Sequence, residues 1–166
     1  LPKLLAISLA GLPQTAVDLP PELLQLQSTP IEKIYEDLDS YDTHRKGVAL
    51  ELLSLRLMRD LGLRPVRFRE RAEDTGGAEV DLIVDGVHLH YSRWLCQCKN
   101  TPNASVRVEA LAKEIGMAVL LQAQVIVLVT RGKFTKHVSQ QAQQLAATST
   151  LQAVLIDGTL LEAYRN

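Results

Sequence analysis

Two short stretches concentrate the side chains that could do chemistry: AEVDLIV at residues 78–84 and WLCQCKN at residues 94–100. Both read as strands, in which side chains alternate between faces. In the first, Val80, Leu82 and Val84 form an apolar side, and Glu79, Asp81 and Ile83 the other. In the second, Trp94, Cys96 and Cys98 share one side, while Leu95, Gln97 and Lys99 share the opposite one. A hairpin return between the two brings carboxylates, an amide and an ammonium toward one pocket. An ordinary salt bridge between a turn carboxylate at Asp81 and Lys99 accounts for the same residues.

Glu51 adds a third acid. On a helical wheel it shares a stripe with Val48, Leu55 and Met58, and positions 47, 48, 54 and 55 hold no base that could pair with it locally. Unless it snorkels to the surface, a carboxylate on that side needs a cation or a hydrogen-bond network, because burial without a partner is costly. Oxygen donors of this kind suit Mg²⁺ or Mn²⁺, hard ions that accept one or two protein carboxylates and complete their shell with water and substrate phosphate. A lysine beside such an ion can orient the attacking water, whose pKa the metal lowers. Metal-assisted phosphodiester hydrolysis is the chemistry implied. No Gly-rich P-loop, G-x-S-x-G elbow or H-E-x-x-H pattern competes with it.

Other candidates carry less. Cys96 and Cys98 lack two further ligands for a zinc site and read as packed core thiols. His88 and His90, next to Tyr91 and Ser92, read as exposed polar residues near the hairpin. Thr130, Lys133 and Thr135 follow a buried strand, where a helix N-terminus can accept phosphate; helix capping by Thr135 explains them equally well.

The elements that must position these groups are legible from periodicity. Residues 44–61 follow helical spacing, with Asp42 or Thr43 as N-cap and Gly62 as stop. Strands are expected at about 66–71, 79–84 and 94–99, with a turn signal at Asp85-Gly86. A helix at 106–122, a buried strand at 125–130, a helix at 135–148, a strand at 151–156 and a closing helical turn at 159–164 complete the order. That order predicts an α/β sandwich with a mixed sheet whose first three strands form an antiparallel meander.

The 166 residues, 46% hydrophobic, suffice for one well-buried domain. Residues 1–42 hold seven acids against two lysines and five prolines, which reads as an acidic linker or a loosely attached helical arm; 43–166 is the expected domain. The opening LPKLLAISLAGLP reads as a short helix, well under the ~20 residues of a membrane span. A net charge of −1 hides a local excess: Arg56, Arg59, Arg64, Arg67, Arg69 and Arg71 crowd sixteen positions, and Arg131, Lys133 and Lys136 sit in an acid-free stretch from 115 to 156. Such clusters suit a phosphate-tracking surface, and solvated surface charge suits them as well.

GGAEVDLIVDG, WLCQCKN, VLVTRGKFTKHVSQQAQQLA and LQAVLIDGTLLE, in this order, resemble the catalytic domain of Mrr-type restriction endonucleases, in the PD-(D/E)xK nuclease superfamily. ALELLSLRLMRDLGLRP resembles that family's first helix, and the likeness runs from His44 to Tyr164. The resemblance implies an α-β-β-β-α-β core with a mixed central sheet flanked by helices, here with a C-terminal helix-strand extension. It implies Asp81 as the metal-binding aspartate, Gln97 in the place of the second acid, Lys99 as the catalytic lysine and Glu51 as the acid of the first helix. The backbone carbonyl of Cys98 would be a metal ligand, with Glu51 and Glu79 as further donors. DNA would lie against Arg56, Arg59, Arg67, Arg69, Lys133 and Lys136. The implied protein is a cytoplasmic, Mg²⁺- or Mn²⁺-dependent DNA endonuclease with no membrane partner, able to act as a homodimer. Because residues 1–42 do not resemble a winged-helix reader, targeting would fall to an attached or associated domain. Gln is common at the place of Gln97 in the Mrr branch, but it is neutral where the acid-bearing relatives carry a charge, which keeps open a catalytically silent module that binds nucleic acid or mediates assembly.

Overall fold

The computed structural model describes residues 28–71, 77–87 and 91–165; the opening apolar stretch, His88 and His90 lie outside them. Helix α1 (Ile31–Leu38) and helix α2 (Thr43–Asp60) come first. Asp42 caps α2 by accepting from the backbone N–H groups of His44 at 2.8 Å and Arg45 at 3.3 Å. Its end is a Schellman turn: Gly62 adopts φ 79°, its N–H reaches the Arg59 carbonyl, and the Leu63 N–H reaches that of Met58.

Strands β1 (Arg64–Arg71), β2 (Glu79–Gly86) and β3 (Ser92–Lys99) follow as an antiparallel meander. A short strand β4 (Ser105–Val106) precedes α3 (Val108–Leu120), β5 (Val125–Thr130) and β6 (Lys133–Phe134). The chain closes with α4 (Lys136–Thr148), β7 (Gln152–Ile156) and α5 (Gly158–Arg165). The main sheet has the order β1-β2-β3-β5-β7, with β3, β5 and β7 parallel, and β4 pairs with β6 in a separate two-stranded ladder. Among the described residues no helix is long and apolar enough to cross a membrane.

Alternation along the central strands supplies two cores. Leu82, Val84, Cys96, Val127 and Val129 pack with Leu50, Leu53, Leu55 and Met58 of α2 and Leu161 of α5. Ile83, Leu95, Ile126 and Leu128 pack on the other side with Leu111, Met117 and Ala118 of α3 and Val138 and Ala142 of α4. The C-terminal extension therefore belongs to the sandwich, contributing edge strand β7 and both layers' outer helices.

Four expectations change. Asp85 and Gly86 are not a turn: β2 runs through them, pairing Asp85 with Arg93 and Gly86 with Ser92. Residues 106–107 are not helical, because Val106 is drawn into the ladder with Phe134. Val80 packs with Ile83 instead of Leu82, since the ladder with β3 ends at Leu82↔Cys96 and the start of β2 is paired with β1 alone. Within the stretch read as an arm, α1 is integral to the first core, burying Ile34 and Leu38.

Candidate active site

The site is made where two paired strands separate. β2 and β3 stay in register from Gly86↔Ser92 to Leu82↔Cys96 and then part. Past that point β3 remains held by β5 as far as Lys99↔Thr130, and β2 by β1 as far as Glu79↔Arg71. The fork opens a cleft of about 520 Å³ at the end of the sheet, lined by Glu51, Glu79, Asp81, Gln97, Lys99 and Lys113 with the backbone around Ala78 and Cys98. Helix α2 delivers Glu51 from one layer and α3 delivers Lys113 from the other.

Asp81 is held by the released strand end. Its Oδ2 accepts from the Cys98 N–H at 2.7 Å and from the Gln97 side-chain amide. The β3 terminus is itself fixed: the Thr130 hydroxyl donates to the Lys99 carbonyl at 2.8 Å, and Asn100 Nδ2 donates to the Lys46 carbonyl at 2.5 Å. On the α2 side, buried Ser54 donates to the Leu50 carbonyl and stands 3.2 Å from Cys98 Sγ. That thiol is pushed well above its ordinary range by its hydrogen bond with Cys96 and by burial, so it packs as a neutral group.

Burial dominates the electrostatics of the cleft. Burial, then the charge of Asp81, push Glu51 up to about 7, against the opposing influence of Arg69. Burial also raises Asp81, opposed by the Cys98 N–H and by Lys99. Arg69 Nε lies 3.0 Å from Glu51 Oε2, and Nη2 lies 3.8 Å from Glu79 Oε1. The first contact is close but off the hydrogen-bonding direction, so Glu51 Oε2 is buried without a hydrogen bond among the described residues. Arg69 adopts φ 51°, a left-handed conformation that costs a non-glycine residue about 1–3 kcal/mol where it persists.

This donor set fits a hard divalent ion. Asp81 and Glu51 offer carboxylate oxygens, one of them a buried acceptor with no hydrogen bond among the described residues, and the charge of Asp81 adds to the need of Glu51 for a cation. Among the described residues no three His, Cys, Asp or Glu side chains form a metal-holding group. The arrangement thus suits an ion that completes its shell with water and phosphate, and does not suit zinc.

Of the residues expected from sequence, Glu51, Glu79, Asp81, Gln97, Lys99 and the Cys98 backbone meet in this cleft. The arginines do not form one surface. Arg69 is engaged with Glu51 and Glu79 of the site. Arg56 faces Tyr35, Asp60 and Tyr164 in a different groove. Arg59 is exposed near the end of α2, Arg67 is half-buried in β1, and Lys133 and Lys136 are exposed around the start of α4. Lys113 and Glu114 were not expected. Glu114 is 2% exposed, with Lys113 Nζ 3.4 Å from its Oε1, and burial raises its pKa. Its signal was available: Leu111, Glu114 and Met117 make a buried stripe at helical spacing, as Glu51 does with its own neighbours.

The restriction endonuclease catalytic family of the Mrr type matches residues 44–164. The chain belongs to that family. No curated protein matches it in sequence. Among solved structures, this Mrr-type domain is similar to the DNA modification-dependent restriction endonuclease AspBHI, at a TM-score of 0.51 and 16% identity over 86% of this chain and 34% of that one. It is also similar to AF1548, a protein of unknown function, at a TM-score of 0.53 and 12% identity over 68% of this chain and 63% of that one. The domain thus spans about a third of AspBHI, and at these identities the likeness is one of fold. The restriction endonuclease-like core that the resemblance implied is present.

Proposed function

We propose that this Mrr-type domain is a divalent-metal-dependent endonuclease that hydrolyses the DNA backbone, serving restriction or DNA processing. The observation that carries the reading is the convergence of Glu51, Asp81, Gln97 and Lys99, from a helix and two strands, on one cleft. Asp81, with Glu51, Gln97 Oε1 and the Cys98 carbonyl, would hold Mg²⁺ or Mn²⁺, with Glu79 at the rim. Such an ion, when bound, supplies Lewis acidity and a water of lowered pKa.

The chain's own groups do the rest. Lys99, anchored through its carbonyl by Thr130, orients the attacking water and balances charge on the scissile phosphate. Lys113 offers a second ammonium across the cleft. Arg59, Arg67, Lys133 and Lys136 would track phosphates at a distance, contacts that position DNA without reading its sequence. Cutting both strands calls for two such clefts, hence a dimer on DNA, and targeting falls to an attached or associated domain.

A second reading rests on Gln97. Its amide already donates to Asp81, which partly satisfies that carboxylate without a metal and suits a silent module that binds nucleic acid. Incubating supercoiled plasmid with MgCl₂ and the protein, Asp81→Ala or Lys99→Ala separates the two. Cleavage by the unsubstituted protein alone is expected; equal nicking by all three, or none by any, removes the enzymatic reading.

A further inference from the structure

Arg69, expected from sequence to lie against DNA, instead pairs with two carboxylates that line the cleft, and the chemistry above gives it no task. It lies on β1, between the residues of the pairs Phe68↔Leu82 and Glu70↔Val80 that flank Asp81 on β2. The left-handed backbone there is tolerated in an otherwise extended strand. Its guanidinium lies against Glu51 at 3.0 Å and within 3.8 Å of Glu79, two carboxylates of the same cleft. An arginine serving only to anchor a carboxylate makes aligned, often bidentate hydrogen bonds. Here Glu51 Oε2 gains the charge without a hydrogen bond among the described residues, an attachment that a competing cation can replace. Guanidinium also suits the task chemically, being permanently charged and more weakly hydrated than an ammonium.

We propose that Arg69 is the resident counter-cation of the cleft: it holds Glu51 and Glu79 together in the metal-free protein and yields Glu51 when a divalent ion enters. The proposal deepens the nuclease reading and rests on it, since it requires that a divalent ion and Arg69 compete for one carboxylate. Arg69 then sets how tightly the site takes its metal, independently of any step in cleavage.

Titration calorimetry with MnCl₂ alone, without DNA, tests this on the unsubstituted protein, Arg69→Gln, Arg69→Lys and Asp81→Asn. Arg69→Gln is expected to bind Mn²⁺ about five- to tenfold more tightly, and Arg69→Lys, which keeps the charge, to stay near the unsubstituted protein. In EDTA, Arg69→Gln is expected to melt at lower temperature, with the loss recovered by Mn²⁺ and by adding Glu51→Gln. Unchanged or weaker Mn²⁺ binding by Arg69→Gln, tightening by Arg69→Lys as well, or a melting deficit that Mn²⁺ leaves in place, overturns the role of Arg69 while leaving the metal site standing. If no protein binds Mn²⁺, or Asp81→Asn binds it as well as the others, the nuclease reading fails first and the proposal with it.

Discussion

The β2–β3 hairpin carries a buried aspartate toward each end, and the two are treated differently. Asp85, at the closed end, is 3% exposed and meets Arg93 Nε at 3.2 Å on Oδ1 and the Tyr91 hydroxyl at 3.1 Å on Oδ2. Asp81, at the open end, is 7% exposed and meets a backbone N–H and a neutral amide, both on Oδ2. A carboxylate that serves the fold receives a cation and a directed donor for each oxygen. One placed to receive something receives neutral donors on one oxygen, and its cationic neighbours, Lys99 and Lys113, act on it through charge alone. Strand separation makes the difference: the closed end seats Arg93 directly opposite Asp85, whereas the fork removes Asp81 from any opposing ladder partner on β3.

Four substitution experiments break or sharpen that contrast. The largest effect belongs to the open end: Asp81→Ala and Lys99→Ala are each expected to lower plasmid cleavage by about 10³-fold or more, measured against Mg²⁺-dependent nicking by the unsubstituted domain. DNA binding in EDTA should survive both, since it rests on other cations.

Next comes pH. Glu51 is raised from 4.5 to about 7, first by burial and second by the charge of Asp81. The folded protein therefore keeps that proton to higher pH than the unfolded chain does. Unfolding free energy should fall as pH rises from about 4.5 to about 7, by a contribution on the order of 3 kcal/mol. Glu51→Gln should flatten this part of the profile in urea titrations performed in EDTA. An unchanged slope would mean that burial does not hold the proton on Glu51 in the folded protein.

At the closed end, Asp85→Ala strands Arg93 and Tyr91 and should cost about 1–3 kcal/mol of stability. Asp81→Asn, which removes a buried charge while keeping its shape, should leave stability equal or higher. Equal losses at the two positions would erase the distinction between them. The smallest effect concerns the exposed cations: Lys133→Ala should weaken DNA binding uniformly across sequences and reduce the salt slope by about one, measured by anisotropy at several salt concentrations.

The readability of the site follows the same division. Asp81, Gln97 and Lys99 were visible because strand alternation is local, and two strands with short spacing in sequence have few ways to pair. Glu51 was visible because an acid in an apolar helical stripe is an anomaly within a single turn-by-turn pattern. Glu114 obeys the same rule on α3, and its stripe could have been read in the same way. Arg69 was legible only as one of six crowded arginines: charge density says nothing about which guanidinium turns inward, and its positive φ has no signature in residue type. Arg56 and Arg69 looked like one basic patch in sequence, yet Arg56 lines a groove with Tyr35 and Tyr164 whereas Arg69 pairs with Glu51 and Glu79, because α2 and β1 point their side chains into different parts of the molecule.

What the amino-acid sequence determined by itself is the order of the main elements from α2 onward: helical and strand periodicities, the Asp42 cap and the Gly62 stop. Each depends on residues within a few positions of one another, where sterics and burial act directly on the chain. Only the tertiary structure decided where the central ladder ends, which acids meet in the fork and which cation stands between Glu51 and Glu79. Those outcomes depend on separations of a few ångströms between distant segments, and electrostatics in a buried cleft changes steeply over such distances.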